Sequence, residues 1–578
     1  MEFVKLADVF EKMEQTASRL QMTADLAELF KETQPKDIAH ITYLCQGIIA
    51  PEFTGIELGM GDKLTEQAIA HVSGKSVKEI EKEYKKQGDL GITAERMLEK
   101  KAQQFLSNQS LTTEKVRQNV YRIATTAGSG SQDLKVKLLA ELLANAKPRE
   151  AKVLVRFVQG RLRLGIGTPT ILDALSVYAA HDKSLRSILE RAYNMRSDLG
   201  LVAQLLFQKK MKEIESMTPQ VFSPIRPALA ERLTDAEQII EKIGSCRVEG
   251  KYDGFRLQVH VKGKDVKLFS RKQEPMTPMF PDIVQAVQHE LHVKEAIIEG
   301  EAIAYDEERQ RFLPFQVTIQ RRRKHGISEK SRQIPLKLFA FELLYADGID
   351  YTIEPYEKRH LELTRRIHSN AKTVRVAESK TVHNARELNS FFEKSVGDGL
   401  EGVMAKDPKA PYIAGARKFA WIKLKKSYGK LTDTFDLVVV GYYKGKGKRT
   451  PFEFGGLLAA AYDDQNKRFR TLARIGTGFS EEQMKQLHHE LEKKKTKSRP
   501  NTVDSNIEPD VWVQPSMVVE INADEISQSP MHTCGKSGSG EGLALRFPRL
   551  VQIRKDKEPE DATTESEVLE MFEMQQQR

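Results

Sequence analysis

The chain has 578 residues, a formal net charge of +10, and 40% hydrophobic and 30% charged residues. That length exceeds one ordinary core and predicts three or four domains. The composition excludes a membrane span, because no apolar run is long enough to cross a bilayer. The start, MEFVKLADVFEKMEQ, is acidic and amphipathic rather than a secretory leader, so a cytoplasmic protein with no membrane partner is expected. Cys45, Cys246 and Cys534 lack zinc-ligand spacing and predict reduced thiols. The basic balance favours a polyanionic partner.

In chain order, residues 1 to about 215 read as helix. In DLKVKLLAELLANA, Leu134, Leu138, Leu139, Leu142 and Leu143 fall on one side at helical spacing. The preceding AGSGSQD opens that helix and is not a Walker loop, since no Gly-Lys-Ser/Thr follows. Residues 218–232, TPQVFSPIRPALAER, carry three prolines and mark a boundary. Strand signals follow. In FRLQVHV, Phe255, Leu257, Val259 and Val261 take one face, and Arg256, Gln258 and His260 the other. AIIEGEAIAYD, LKLFAFELLY and LEGVMAK repeat the short-strand character, and FPDIVQAVQHEL is helical between them. This α+β region ends near Lys426. Beyond it, FDLVVVGYYKGKGKR, FGGLLAAAYD, FRTLARIG and MVVEINADEIS read as successive strands of a small nucleic-acid-binding barrel. Glu492 to Pro500, EKKKTKSRP, reads as an exposed loop, and ESEVLEMFEMQQQR as a final helix. The predicted domains are 1–217, 218–426 and 427–578.

The chemistry centres on Glu249-Gly250-Lys251-Tyr252-Asp253-Gly254-Phe255-Arg256. A lysine amine attacks only when unprotonated, and nearby cations and partial burial favour that form. Arg256 and Arg271 lie close in sequence. Glu249 and Lys251, two apart on a strand, share a face, so Glu249 can reach a base or sugar above the lysine. Gly254 permits a tight turn that exposes the lysine. Glu299 and Glu301 share a second strand face, and Glu401 follows a Gly-Asp-Gly turn. Carboxylates beside a triphosphate hold Mg2+ or sugar hydroxyls. Phe341 is placed to stack on a base, and Lys406, Lys423 and Lys425 supply cations where an α-phosphate needs them.

Taken in order, KYDG, EGE, FEL, EGVMAK, WIKLKK and RKDK resemble the motif series of the ATP-dependent DNA ligases of archaeal and eukaryotic replicative type. The likeness runs through CQGIIAPEF and RFVQGRLRLGIGTPTILDAL to RFPRLVQIRKDKEPEDATT. It implies a multidomain fold: an all-α DNA-binding domain, an α+β nucleotidyltransferase (ATP-grasp-like ligase) domain and a β-barrel OB-fold domain. It implies ATP and Mg2+ as cofactors, and nick sealing through a lysyl-AMP and a DNA-adenylate in replication, repair and recombination. By motif, Lys251 is the adenylylated nucleophile. Glu249, Arg256, Arg271, Glu301, Phe341, Arg417 and Lys423 contact AMP or ATP, with Phe341 on adenine and Glu301 on the ribose. Glu301 and Glu401 place the metal, and Arg554, Lys555 and Lys557 orient pyrophosphate.

Nicked duplex DNA is the implied partner, met mainly through backbone phosphates. Arg161 and Arg163, before the turn at Gly165 and Gly167, read either as groove or phosphate contacts or as a glycine-capped helix end. Lys444 and Lys446 sit in a basic turn suited to the same task. Ala102-Gln103-Gln104-Phe105-Leu106 matches a segment that docks a sliding clamp in archaeal relatives. Phe105 and Leu106 keep its apolar plug while Ala102 replaces its leading glutamine, and a buried helix residue is the competing role for Phe105. The chain is expected to be a monomer. Two alternatives share the lysine motif or the charge: an RNA ligase or capping-type nucleotidyltransferase, and a non-catalytic nucleic-acid scaffold.

Overall fold

The computed structural model describes residues 1–578 except 17, 100–109, 161, 163, 165, 234, 308–310, 314, 324, 426–433, 446, 537–539 and 578, and the side chains of 232, 315, 316, 417, 448, 574 and 577. The chain forms two compact units, Met1–Ile80 with Leu90–Lys426, and Glu81–Asp89 with Ser427–Arg578. Among the described residues no helix is long and apolar enough to cross a membrane.

Among the described residues, every element from Phe3 to Glu215 is a helix, as the periodicity predicts. The helix Ser131–Asn145 follows the AGSGSQD turn, where Gly128 and Gly130 have positive φ. It buries Leu138, Leu139, Leu142 and Leu143, but also Val136, Ala140 and Ala144. Leu134 is 39% exposed, which corrects the leucine stripe. The helices Asp62–Ser73, Thr113–Thr125 and Pro148–Val158 all pack on this one, so its buried face is wider than the stripe and displaced from it.

The three-proline segment is largely irregular and leads into the strands β1 (Leu229–Arg232), β2 (Cys246–Lys251), β3 (Phe255–Lys262) and β4 (Asp265–Ser270). There follow β5 (Glu295–Asp306), β6 (Arg311–Phe312), β7 (Leu336–Ala346) and β8 (Ile349–Asp350). The set closes with β9 (Val374–Val376), β10 (Ser379–Val382), β11 (Gly402–Lys406) and β12 (Arg417–Lys425). One sheet has the order β1-β12-β11-β2-β10, and a second the order β4-β3-β5-β7-β8 with β6 and β9 beside it. Strand alternation divides core from chemistry. Val248, Val403, Ala405, Ile422 and Leu424 enter the core of the first sheet, and Leu257, Val259, Leu338 and Ala340 that of the second. The residues between them point the other way.

The polar face of β3 is not solvated. Gln258 and His260 are buried. The Ile225 N–H donates to Gln258 Oε1 at 2.8 Å, Gln258 Nε2 donates to the Ile225 carbonyl at 3.0 Å, and the Phe222 N–H donates to His260 Nδ1 at 2.8 Å. The proline-rich segment thus covers the strand by using its polar side chains as partners for backbone groups that would otherwise be orphaned.

In the second unit the strands are β13 (Phe435–Tyr443), β14 (Gly456–Asp463), β15 (Arg468–Ile475), β16 (Val503–Asp504), β17 (Val511–Trp512), β18 (Val518–Asn522), β19 (Glu525–Ser529), β20 (Gly542–Arg546) and β21 (Arg549–Arg554). The main sheet runs β16-β15-β14-β13-β18-β21. The predicted strands and the final helix, Glu565–Gln577, are present. A helix at Glu481–Glu492 was not expected. Its start is a capping box, in which the Gln483 N–H donates to Ser480 Oγ and the Ser480 N–H to Gln483 Oε1.

One buried pair ties a helix to β7. Arg359, on the helix Tyr356–Arg366, donates twice to Glu342, at 2.8 and 3.0 Å, and both side chains are 0% exposed. Removing one partner strands a buried charge, at a cost of about 3–5 kcal/mol. Arg359→Leu is therefore expected to lower the urea midpoint strongly. The double variant Arg359→Leu/Glu342→Leu should recover most of that loss, and equal damage in both would contradict the pairing argument.

A candidate active site around Lys251

The two sheets of the first unit face each other across a cavity of about 530 Å3. Strand parity aims Glu249 and Lys251 of β2, Met404 and Lys406 of β11, and Trp421, Lys423 and Lys425 of β12 into it from one sheet. Arg256 of β3, Glu301 of β5 and Phe341 of β7 enter from the other, and Arg271 and Lys272 lie at its rim. Among the described residues, eight lysine and arginine side chains line the cavity against five carboxylates.

Register explains why Glu401 stands beside Lys251. Strand β11 runs antiparallel to β2, with Gly402 opposite Lys251 and Met404 opposite Glu249. The Glu401 N–H donates to the Lys251 carbonyl at 3.0 Å. Gly402 is required at this point: its φ is +142°, and a Cβ there would lie 2.2 Å from the Leu424 carbonyl oxygen. The Glu401 carboxylate then accepts from both Lys251 and Lys425. Burial pushes the Glu401 carboxyl up, but the two ammonium groups outweigh it and hold it below its usual range. The immediate partner of the Lys251 amine is thus a carboxylate, while Arg256 and Arg271, the cations expected near it, line the same cavity. Gly254 serves for close approach, since a Cβ there would sit 2.3 Å from the Ala302 carbonyl oxygen on β5.

The floor is a network of paired charges. Glu249 is buried, accepts from the Tyr356 hydroxyl and pairs with Lys406 at 2.7 Å. Burial pushes the Glu249 carboxyl up to about 7 against the pull of Lys406. Lys406 also donates to the Phe341 carbonyl at 2.9 Å and lies 4.4 Å from the Trp421 ring centre. Arg256 donates to Glu299 at 2.8 Å and to the Ala228 carbonyl at 2.9 Å. Burial works against the Arg256 charge, but Glu299 and Tyr412 hold its pKa above the usual range. Glu301 accepts from the Gly254 N–H at 3.2 Å. Burial pushes its carboxyl up to about 7, although Lys251 and Arg256 oppose this. Phe341 and Trp421 meet edge-on, with centres 6.1 Å apart, and form an aromatic corner.

A cation-rich cleft with an aromatic corner and a poised lysine is built for a nucleotide. Residues 2–176 match the family described as DNA ligase N terminus, 227–425 that of the ATP dependent DNA ligase domain, and 451–557 that of the ATP dependent DNA ligase C terminal region. The Probable DNA ligase of Dictyoglomus turgidum is 46% identical over 574 residues, 99% of this chain and 97% of the relative. The DNA ligase of Hyperthermus butylicus is 44% identical over 598 residues, 100% of this chain and 98% of the relative. The chain belongs to the ATP-dependent DNA ligases. The ligase accordingly has an N-terminal helical domain, a central nucleotidyltransferase domain and a C-terminal OB-fold domain. The solved structure Pmar-Lig_Pre shares this fold at 18% identity and a TM-score of 0.57, over 95% of this chain and 99% of that one.

Lys251, Glu249, Arg256, Arg271, Glu301, Phe341, Lys423 and Glu401, all predicted from sequence, line the ligase cavity. Arg417 opens β12, and its side chain is not among those described. Arg161, Arg163, Lys446 and the clamp segment with Phe105 and Leu106 lie outside the described residues. In the second unit Arg554 pairs with Asp436 at 3.2 Å and Asp556 at 2.7 Å, and Lys557 pairs with Asp436 at 2.7 Å. Lys555 and Lys444 are exposed. Sequence reasoning passed over Trp421, Tyr356 and Tyr412. Trp421 had a signal: it is two and four residues before Lys423 and Lys425 and so shares their face. The Tyr412 hydroxyl donates to Glu299 at 2.8 Å from a loop, which periodicity cannot reveal.

The Glu301 carboxyl, raised to about 7, stands above its unfolded value near 4.5. The folded ligase therefore holds more protons than the unfolded chain across that window, and the stability this contributes is lost as pH rises through it. Glu301→Gln should flatten part of the fall in urea midpoint between about pH 5 and 7. A variant profile parallel to the wild type would show that Glu301 does not titrate there.

Proposed function

We propose that Lys251 of this ligase takes AMP from ATP onto its own amine and passes it to the 5′-phosphate of a nick, which a neighbouring 3′-hydroxyl then seals. In the first displacement the Lys251 nitrogen bonds to the α-phosphorus and pyrophosphate leaves. In the second, the nick's 5′-phosphate oxygen attacks the same phosphorus and the lysine leaves. In the third, the 3′-hydroxyl attacks the 5′-phosphate and AMP departs. The observation that carries this reading is Lys251 in a cavity where cations outnumber carboxylates. Each step gathers negative charge on phosphoryl oxygens, so preset cations supply most of the stabilisation.

The residue roles are those the motif series implies, and the cavity lining supports the ones that fall on it. Phe341, at the aromatic corner with Trp421, offers a face for adenine, and Glu249 lies on the floor beneath it. Glu301 binds the ribose. Arg256, Arg271, Arg417 and Lys423 serve the phosphates. Glu301 and Glu401 both line the cavity, and Mg2+ is commonly bound by one or two carboxylates together with substrate phosphates and water, so the donor set fits that ion. Bound there, Mg2+ neutralises developing phosphoryl charge. A metal on Glu401 competes with the ion pairs that carboxylate makes to Lys251 and Lys425. Arg554, Lys555 and Lys557 are assigned to the departing pyrophosphate, and for Arg554 and Lys557 this means exchanging Asp436 for phosphate. Lys444 and Lys446 are assigned to DNA backbone phosphate. The domains are divided at residues 217 and 426, and the ligase acts as a cytoplasmic monomer in replication, repair and recombination.

Lys251→Ala is expected to abolish the covalent adduct formed from ATP labelled at the α-phosphate, while nicked-DNA affinity stays within about threefold. A labelled variant would displace Lys251 as nucleophile, and labelling from GTP in place of ATP would point to capping chemistry. Phe341→Ala should raise the KM for ATP by roughly tenfold to a hundredfold, the worth of about 1.4–2.7 kcal/mol of stacking and burial. An unchanged KM would remove adenine from that corner.

A further inference from the structure

The rim of the cavity carries a cation that no motif of the sequence pointed to. Arg322 lines the cavity together with Arg271, Lys272 and Glu274. Its side chain is 52% exposed, and it donates to Glu274 at 3.1 Å. The residue before it is the opposite in character. Arg321 is 1% exposed, donates to Asp282 at 2.9 and 2.7 Å and to the Ile334 carbonyl at 2.6 Å, and lies over the Phe280 ring. Arg321 ends the short 3-10 turn Ile319–Arg321, and the Arg322 N–H closes that turn onto the Ile319 carbonyl at 3.0 Å. One arginine is therefore a buried anchor for the backbone, and the next is a solvated side chain delivered from it to the cavity mouth.

Glu274 is similarly delivered. It closes a tight turn after β4, in which the Ser270 N–H donates to the Glu274 carbonyl at 2.9 Å and the Glu274 N–H to Ser270 Oγ at 3.1 Å. Gln273, just before it, has φ +67° and is buried. The backbone of the turn does not depend on the Glu274 carboxylate, which is left to face the Arg322 guanidinium. An ion pair at this exposure is weak, about 0–1 kcal/mol, and contributes little to the fold. A phosphate oxygen competes well for a guanidinium, because its bonds are charge-assisted and bidentate.

We propose that Arg322 is a phosphate-binding residue of this site, with Glu274 as an exchangeable partner that an arriving phosphate displaces. The inference rests on the nucleotidyltransferase reading of the cavity. The phosphate belongs either to the tail of ATP or to the backbone at the nick, and both sources present the same oxygens.

The test uses the full-length ligase in two arms: self-adenylylation against ATP concentration, and sealing of a nick that already carries the 5′-adenylate. Arg322→Ala is expected to raise the KM for ATP about tenfold with kcat within about twofold. Arg322→Lys should recover part of the loss, and Glu274→Gln, which releases the guanidinium, should lower the KM. If the phosphate is that of the nick, the Arg322→Ala defect appears instead as a raised KM for the adenylated DNA. Both patterns support the assignment. Constants within twofold of wild type in both arms would overturn it, as would a Glu274→Gln variant as impaired as Arg322→Ala. Lys251→Ala, run alongside, separates this failure from that of the underlying reading, since only the latter leaves the Lys251→Ala ligase labelled. Arg322 is surface-exposed, and an unchanged thermal midpoint in the variants confirms that folding is intact.

Discussion

The pairing of β11 with β2 is the constraint on which the site depends. With Gly402 opposite Lys251, every second residue of both strands faces the cavity and every other enters the core. A slip of one residue would turn Met404 and Lys406 inward and aim Val403 and Ala405 at the nucleotide. The apolar set therefore guards the register of the reactive set. Gly402 reinforces this, because only a residue without a Cβ fits so close to the Leu424 carbonyl. The second sheet repeats the device: Leu338 and Ala340 hold β7 in the core, so that Phe341 reaches the cavity.

Much of this was legible in the sequence because period-two alternation and motif order are local signals. Glu249 with Lys251, the paired Glu299 and Glu301, and the lysines of WIKLKK are all read by parity alone. What escaped had a tertiary cause. The carboxylate beside Lys251 comes from 150 residues away in sequence, and sequence neighbours suggested cations instead. The buried polar face of β3 has no local mark, since Gln258 and His260 look solvated until the proline-rich segment folds over them. Leu134 fits a helical stripe, yet three packed helices choose a different face of Ser131–Asn145. The helix Glu481–Glu492 did have a signal, Ser480 followed three residues later by Gln483, which the surrounding strands obscured.

Burial also sets the protonation of the floor. Glu249 and Glu301 are both raised to about 7 by the same low-dielectric surroundings, yet they stand next to Lys406, Arg256 and Lys251. Desolvation and ion pairing thus oppose each other within the one pocket, and desolvation outweighs the cations at both carboxyls. A carboxyl balanced in this way responds to the next charge that enters. A phosphate or a cation arriving at the cavity shifts the balance more than it would at a fully solvated group, because the local field is less screened.

The ion pairs of the ligase fall into two sets, and exposure separates them. Arg359 with Glu342 and Lys406 with Glu249 are almost wholly excluded from water. Breaking either would strand a buried charge, so these pairs are permanent parts of the scaffold. Lys251 and Lys425 with Glu401, Arg322 with Glu274, and Arg554 and Lys557 with Asp436 all keep contact with solvent. Separating the exposed Arg322 and Glu274 costs little, and for the half-buried pairs an arriving phosphate oxygen replaces the charge-assisted bonds that the carboxylate gave. Lys251 of β2 and Lys425 of β12, Arg322 at the rim, and Arg554 and Lys557 in the OB-fold domain are thus members of the second set. A three-step phosphoryl transfer needs that property: its cations must be held in position before the nucleotide binds, and they must also be free to change partner as the phosphorus passes from ATP to lysine to DNA.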